Sequence, residues 1–146
     1  GRPPGSEGAE LWGHEFWLPD SSRAGYMYFP RSYGKDATVR LLDPTSLDEE
    51  VLMKVSGYSH FICDGDFTKL VGDGHDSEDL YLVDIASRTE SPLCKHASSW
   101  KPYADPRTGK LNTQAVHPHP CFSPDGTRVV FSSDMHGPPA AYAVTA

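Results

Sequence analysis

The segment Gln114-Ala-Val-His117-Pro-His119-Pro120 carries the clearest chemistry in this sequence. His117 and His119 are two positions apart, so on an extended strand their side chains share a face. Pro118 and Pro120 stiffen the backbone and favour that extended form. Gln114 lies three residues upstream of His117 and offers a neutral carbonyl oxygen. Two imidazoles and an amide oxygen suit a borderline divalent ion such as manganese, iron or zinc. An isolated His-x-His is more often a pair of incidental loop histidines, but this short chain holds 7 histidines.

The elements that position these residues read as β. With 13 Gly and 13 Pro, few segments can run on as helices, and short apolar stretches alternate with turn residues. Residues 47–55, LDEEVLMKV, read as a strand leading into Val55. Three segments resemble one another, at 14–32, 59–87 and 117–144. Each begins with His and aromatic residues, passes an Asp-containing turn and continues into an alternating strand. Second strands follow at Val39–Leu42, Leu80–Ile85 and Ala141–Val144. The turn aspartates Asp20, Asp64 and Asp125 are spaced by 44 and 61 residues. The first interval matches one four-stranded propeller blade, and the second matches a blade plus an insertion at 88–116. Pro124-Asp125-Gly126 predicts a tight turn with Gly at positive φ, followed by a strand with Val129 and Phe131 on one face. The expected fold is therefore all-β: propeller blades of four-stranded antiparallel sheets, about three of them, in one partial propeller domain over 1–146. Such blades stack to bury their faces.

That architecture groups the remaining histidines. His60 opens the second repeat, as His14 opens the first and His119 the third, and equivalent positions on successive blades converge near the ring axis. His60 is thus either a further metal ligand or a hydrogen-bonded structural histidine. His14 is expected to line the same cavity as a polar or acid/base group, with Glu15 pointing away from it. His96 serves either the site or a blade edge. Gly72-Asp73-Gly74 reads as a turn, with Asp73 a partner of the site from outside the ligand set. His75 and His136 sit in Gly- or Pro-rich loops and are expected to face solvent. No GxSxG, HExxH or P-loop motif is present, which leaves serine-hydrolase, zincin and nucleotide readings without support.

A net charge of -7 argues against a nucleic-acid surface. An acidic protein that handles an acidic substrate needs local positive charge, which a bound cation supplies. No apolar run long enough for a transmembrane helix exists, and the N-terminal GRPPGSEGAELWG has no signal-peptide core, so the expected location is cytoplasmic and away from membranes. Cys63, Cys94 and Cys121 lack zinc-like spacing and read as small buried residues.

Taken together, HEFW, SHFICDGDFTKLVGDG, LCKHASSW and QAVHPHPCFSPDGTRVVFSSDMHG resemble the oligogalacturonate lyase (oligogalacturonide lyase) family over most of residues 11–144. QxxHPHPxFSPD is the most specific part. The resemblance implies a seven-bladed propeller related to TolB, of which this chain is a C-terminal portion. It implies a manganese ion held by Gln114, His117, His119 and His60, and a role for His14 near the substrate. It also implies β-elimination on short pectin fragments, chiefly digalacturonate. In that reaction a base removes the C5 proton beside the uronate carboxylate and the C4 oxygen leaves. The family's arginine base falls on a stretch before HEFW; here only residues 1–13 precede His14, and Arg2 does not match its context. The alternative is a non-catalytic TolB-type segment that serves as a binding module, which explains the FSPDG repeats but not the Gln-His-His arrangement. A prolyl-oligopeptidase-type propeller is disfavoured by the missing nucleophile motif.

Overall fold

The structure, a computed structural model, describes residues 10–30, 36–74, 77–113 and 116–146. These residues form antiparallel meanders with no helix among them. The first four-stranded sheet runs in order β1 (Leu11–Trp17), β2 (Ala24–Phe29), β3 (Thr38–Leu42) and β4 (Glu49–Lys54). The second comprises β5 (Tyr58–Cys63), β6 (Lys69–Gly74), β7 (Asp79–Asp84) and β8 (Thr89–Lys95). A hairpin of β9 (Tyr103–Ala104) and β10 (Leu111–Asn112) precedes a three-stranded sheet. That sheet consists of β11 (Cys121–Phe122), β12 (Arg128–Ser133) and β13 (Ala140–Thr145). The first strands of the three sheets are neighbours, with β1 and β11 both against β5. This is the expected stack of blades.

Period-two patterning explains the stacking. Along β2, Met27 and Phe29 are buried while Tyr26 and Tyr28 alternate to the other face. The second blade feeds two separate cores. Leu70 and Val83 pack with Met27, Val39 and Leu52 of the first blade. Val71 and Leu80 pack with Val129 and Phe131 of the third. Adjacent residues Leu70 and Val71 thus face opposite sheets, and burying each such side chain contributes about 1.5–3 kcal/mol.

Three expectations change. Residues 89–95 do not belong to an insertion: they pair with β7 as the outer strand of the second blade. Their Ser-Pro interruption hides the strand in the sequence, and an outer strand tolerates proline. Gly72-Asp73-Gly74 is not a turn but the end of β6. A Cβ on Gly72 would sit 2.4 Å from the Tyr58 ring, so this glycine serves close approach rather than positive φ. Finally, the hairpin turns align differently. Leu18, Asp64 and Ser123 each donate their backbone N–H to a carbonyl five residues on, at Arg23, Lys69 and Arg128. Asp66, rather than Asp64, therefore corresponds to Asp20 and Asp125. Asp64 is buried and accepts from Thr68 and Lys69 N–H and the Thr68 hydroxyl. Ser123 Oγ does the same in the third blade, accepting from Arg128 N–H. The Pro124-Asp125-Gly126 turn forms with Gly126 at φ 66. Bonds from Ser123 and Thr127 hold the Asp125 carboxyl down at about 2.

Candidate metal centre

The inner strands lose their regularity at the histidines. In β1 the pairing with β2 shifts between Gly13 and Phe16, leaving His14 and Glu15 in a bulge, with His14 at φ 60. In β5 the shift falls between Tyr58 and His60. In the third blade Pro118 accepts from Ser132 N–H and Cys121 pairs with Val130, so His119 and Pro120 oppose Phe131. A bulge bends the strand and re-aims a side chain. Here each bulge turns a histidine towards the same place.

The expectation of an extended His117–His119 segment needs correction. His119 has φ 43, a left-handed conformation between two buried prolines. Such a backbone costs a non-glycine residue about 1–2 kcal/mol. The two rings nevertheless converge, 5.8 Å apart and 17° from parallel.

His60, His117 and His119 each present a ring nitrogen, and these atoms all lie within 4.8 Å of one another. The His60 and His119 ring centroids are 3.6 Å apart. Among the described residues His117 Nδ1 is buried without a hydrogen-bond partner. Burial, with a smaller contribution from His60, lowers the pKa of both His117 and His119. His117 and His119 therefore favour the neutral imidazole, which keeps a lone pair for a cation. Three convergent ring nitrogens, with His117 Nδ1 buried and unpartnered among the described residues, fit a borderline divalent cation. Gln114, the fourth expected ligand, lies outside the described residues, as does His75.

His14 borders this group edge-on to His60, at 5.7 Å between centroids. It lines the site without joining the three convergent nitrogens. Glu15 points elsewhere and lines a surface cleft with Trp12, Tyr28 and Arg40.

Three more residues complete the surroundings, and of these only Trp100 escaped the sequence reading. Trp100 packs on His117 at 4.6 Å and lies parallel to His60 at 6.1 Å. Its loop is pinned: Ser98 Oγ donates to the Ser132 carbonyl, and Ser99 N–H and Oγ donate to Asp134. Trp100 and Ala97 both have positive φ, at 57 and 47. His96, left open between site and edge, is fully buried and structural. Its Nδ1 accepts from Ser98 N–H, so Nε2–H donates to the Ser77 carbonyl. Asp73 is fully buried beside His60. The only sequence signal for Trp100 was an aromatic residue beside His-Ala-Ser-Ser. His136 is exposed, as expected, and contacts the Tyr142 hydroxyl.

Adjacent four-stranded meanders with converging inner strands define a β-propeller segment with a histidine cluster at its inner edge. The oligogalacturonate lyase family model matches residues 5–146, and the chain belongs to that family. It is 35% identical to an oligogalacturonide lyase of Pectobacterium atrosepticum over 147 aligned positions, covering 88% of this chain and 35% of the relative. An oligogalacturonate lyase of Dickeya dadantii is 32% identical with the same coverage. A solved oligogalacturonate lyase in complex with manganese superposes with a TM-score of 0.83 at 34% identity, covering 95% of this chain and 36% of that one. The enzyme from Vibrio parahaemolyticus gives 0.78 at 33%, covering 93% and 36%. TolB from Acinetobacter baumannii, at 17% identity and TM-score 0.67 over 93% of this chain and 30% of its own, shares the fold. The chain spans about a third of the length of the curated relatives it matches.

Proposed function

We propose that this chain supplies the metal centre of an oligogalacturonate lyase, which cleaves short oligogalacturonides such as digalacturonate by β-elimination. The supporting observation is the convergence of one ring nitrogen each from His60, His117 and His119, all within 4.8 Å of one another. Manganese is the proposed ion, in keeping with the manganese complex of the similar lyase. His60, His117, His119 and Gln114 would hold it. All four are neutral, so the ion would keep its full charge, whereas a carboxylate cage would cancel it. The bound cation would neutralise the uronate carboxylate and make the adjacent C5 proton more acidic.

The chain's own residues then have distinct tasks. The bulged inner strands aim the imidazoles. Trp100 walls one side of His117. His14 stands next to the ligand set, placed to bind the acid group or carry a proton, as an imidazole near neutral pH allows.

The test is incubation of the protein with digalacturonate and Mn(II), following the ultraviolet absorbance of the unsaturated product. The absorbance should rise only when Mn(II) is present. His14→Ala should keep the metal and slow the rise by about 10²-fold or more. Bound Mn(II) with no product would reduce the protein to a binding module.

A further inference from the structure

We propose that Asp73 is a positioning residue that fixes which nitrogen of His60 faces the metal, and so sets metal affinity from outside the ligand set. The inference rests on the metal reading above. Asp73 lies on β6 directly opposite His60 in the β5–β6 register. Its side chain is fully buried. Oδ1 accepts the His60 backbone N–H at 2.6 Å, and Oδ2 lies 2.7 Å from His60 Nδ1. A carboxylate has only acceptors. Nδ1 must therefore carry the hydrogen, and the lone pair is left on Nε2, on the opposite side of the ring. The tautomer is imposed by the fold, because both carboxylate oxygens are committed to one residue. A carboxylate behind a ligating imidazole also makes the imidazole a better donor to the cation.

The neighbouring glycines make the arrangement feasible. Gly72 admits the Tyr58 ring, and a Cβ on Gly74 would meet Ser77 at 2.8 Å. The β6 backbone on either side of Asp73 is thus closely packed, and the Asp73 side chain itself is fully buried.

Asp73→Asn isolates the effect, since it keeps the shape and changes the hydrogen-bond code. The amide oxygen must face the His60 N–H, because the NH2 there would oppose a donor. The NH2 then faces Nδ1, which can only accept, and the ring hydrogen moves to Nε2. The lone pair then sits on Nδ1, facing residue 73, and no longer on Nε2.

Two measurements on the full chain test this. Long-range 1H–15N imidazole spectra of the metal-free protein should give His60 as the Nδ1–H tautomer in wild type and Nε2–H in Asp73→Asn. Mn(II) titration by electron paramagnetic resonance should show binding weakened about 10- to 100-fold in Asp73→Asn. An Nε2–H tautomer in wild type overturns the inference, whether or not the variant folds. Wild-type affinity in a folded Asp73→Asn protein overturns it alone. Wild-type protein that binds no Mn(II) overturns the metal reading and the inference with it.

Discussion

At the scale of single residues, the site is a set of imidazoles whose orientations are fixed by neighbours of three kinds. Bulges aim His14, His60 and His119, a pinned indole walls His60 and His117, and a buried carboxylate backs His60. Trp100 gives a direct readout of the arrangement. Its ring lies 4.6 Å from that of His117, whereas Trp12 and Trp17 are largely exposed. Paramagnetic Mn(II) should therefore quench mainly the emission of Trp100. Trp100→Phe should abolish most of the quenching seen on Mn(II) titration; quenching equal to wild type would place the ion elsewhere. The convergence of His60 with His117 and His119 was legible in the sequence, because equivalent positions of a repeat meet near a common axis. The role of Trp100 was not, and Asp73 was expected beside the site but in a turn rather than on β6 opposite His60. Trp100 depends on a loop tied down by Ser132 and Asp134, more than thirty residues away. Asp73 depends on a strand register that a bulge shifts by one residue.

At the scale of elements, the alternating strands and the Pro-Asp-Gly turn were readable from local pattern. The errors came where a residue serves a non-local need. Gly72 read as a turn residue, yet it sits inside β6 because the Tyr58 ring lies across it. The first blade repeats the device: a Cβ on Gly25 would sit 2.3 Å from Phe16. In both blades an aromatic side chain of the inner strand covers a glycine of the next strand. Gly72→Ala should thus destabilise the protein by about 1–3 kcal/mol through overpacking against a buried ring. Urea denaturation measures this, and an unchanged midpoint would show that Tyr58 moves aside freely. The fourth strand at 89–95 was missed for a related reason. Its pairing with β7 defines it, while Pro92 and the polar residues around it disguise it.

At the scale of the whole molecule, the two cores flanking the second blade place the site. Leu70 and Val83 lock the second sheet to the first, and Val71 and Leu80 lock it to the third. His60 and the His117–His119 pair belong to different sheets, so their approach is a product of blade stacking rather than of local sequence. This distinguishes a built centre from a His-x-His pair acting alone. A two-histidine site would survive loss of His60; a centre shared between blades would not. The deciding measurement is Mn(II) bound per chain, by elemental analysis after dialysis, in wild type and in His60→Ala. One equivalent in wild type and a near-complete loss in His60→Ala is the predicted result. Wild-type manganese content in a folded His60→Ala protein would contradict the account.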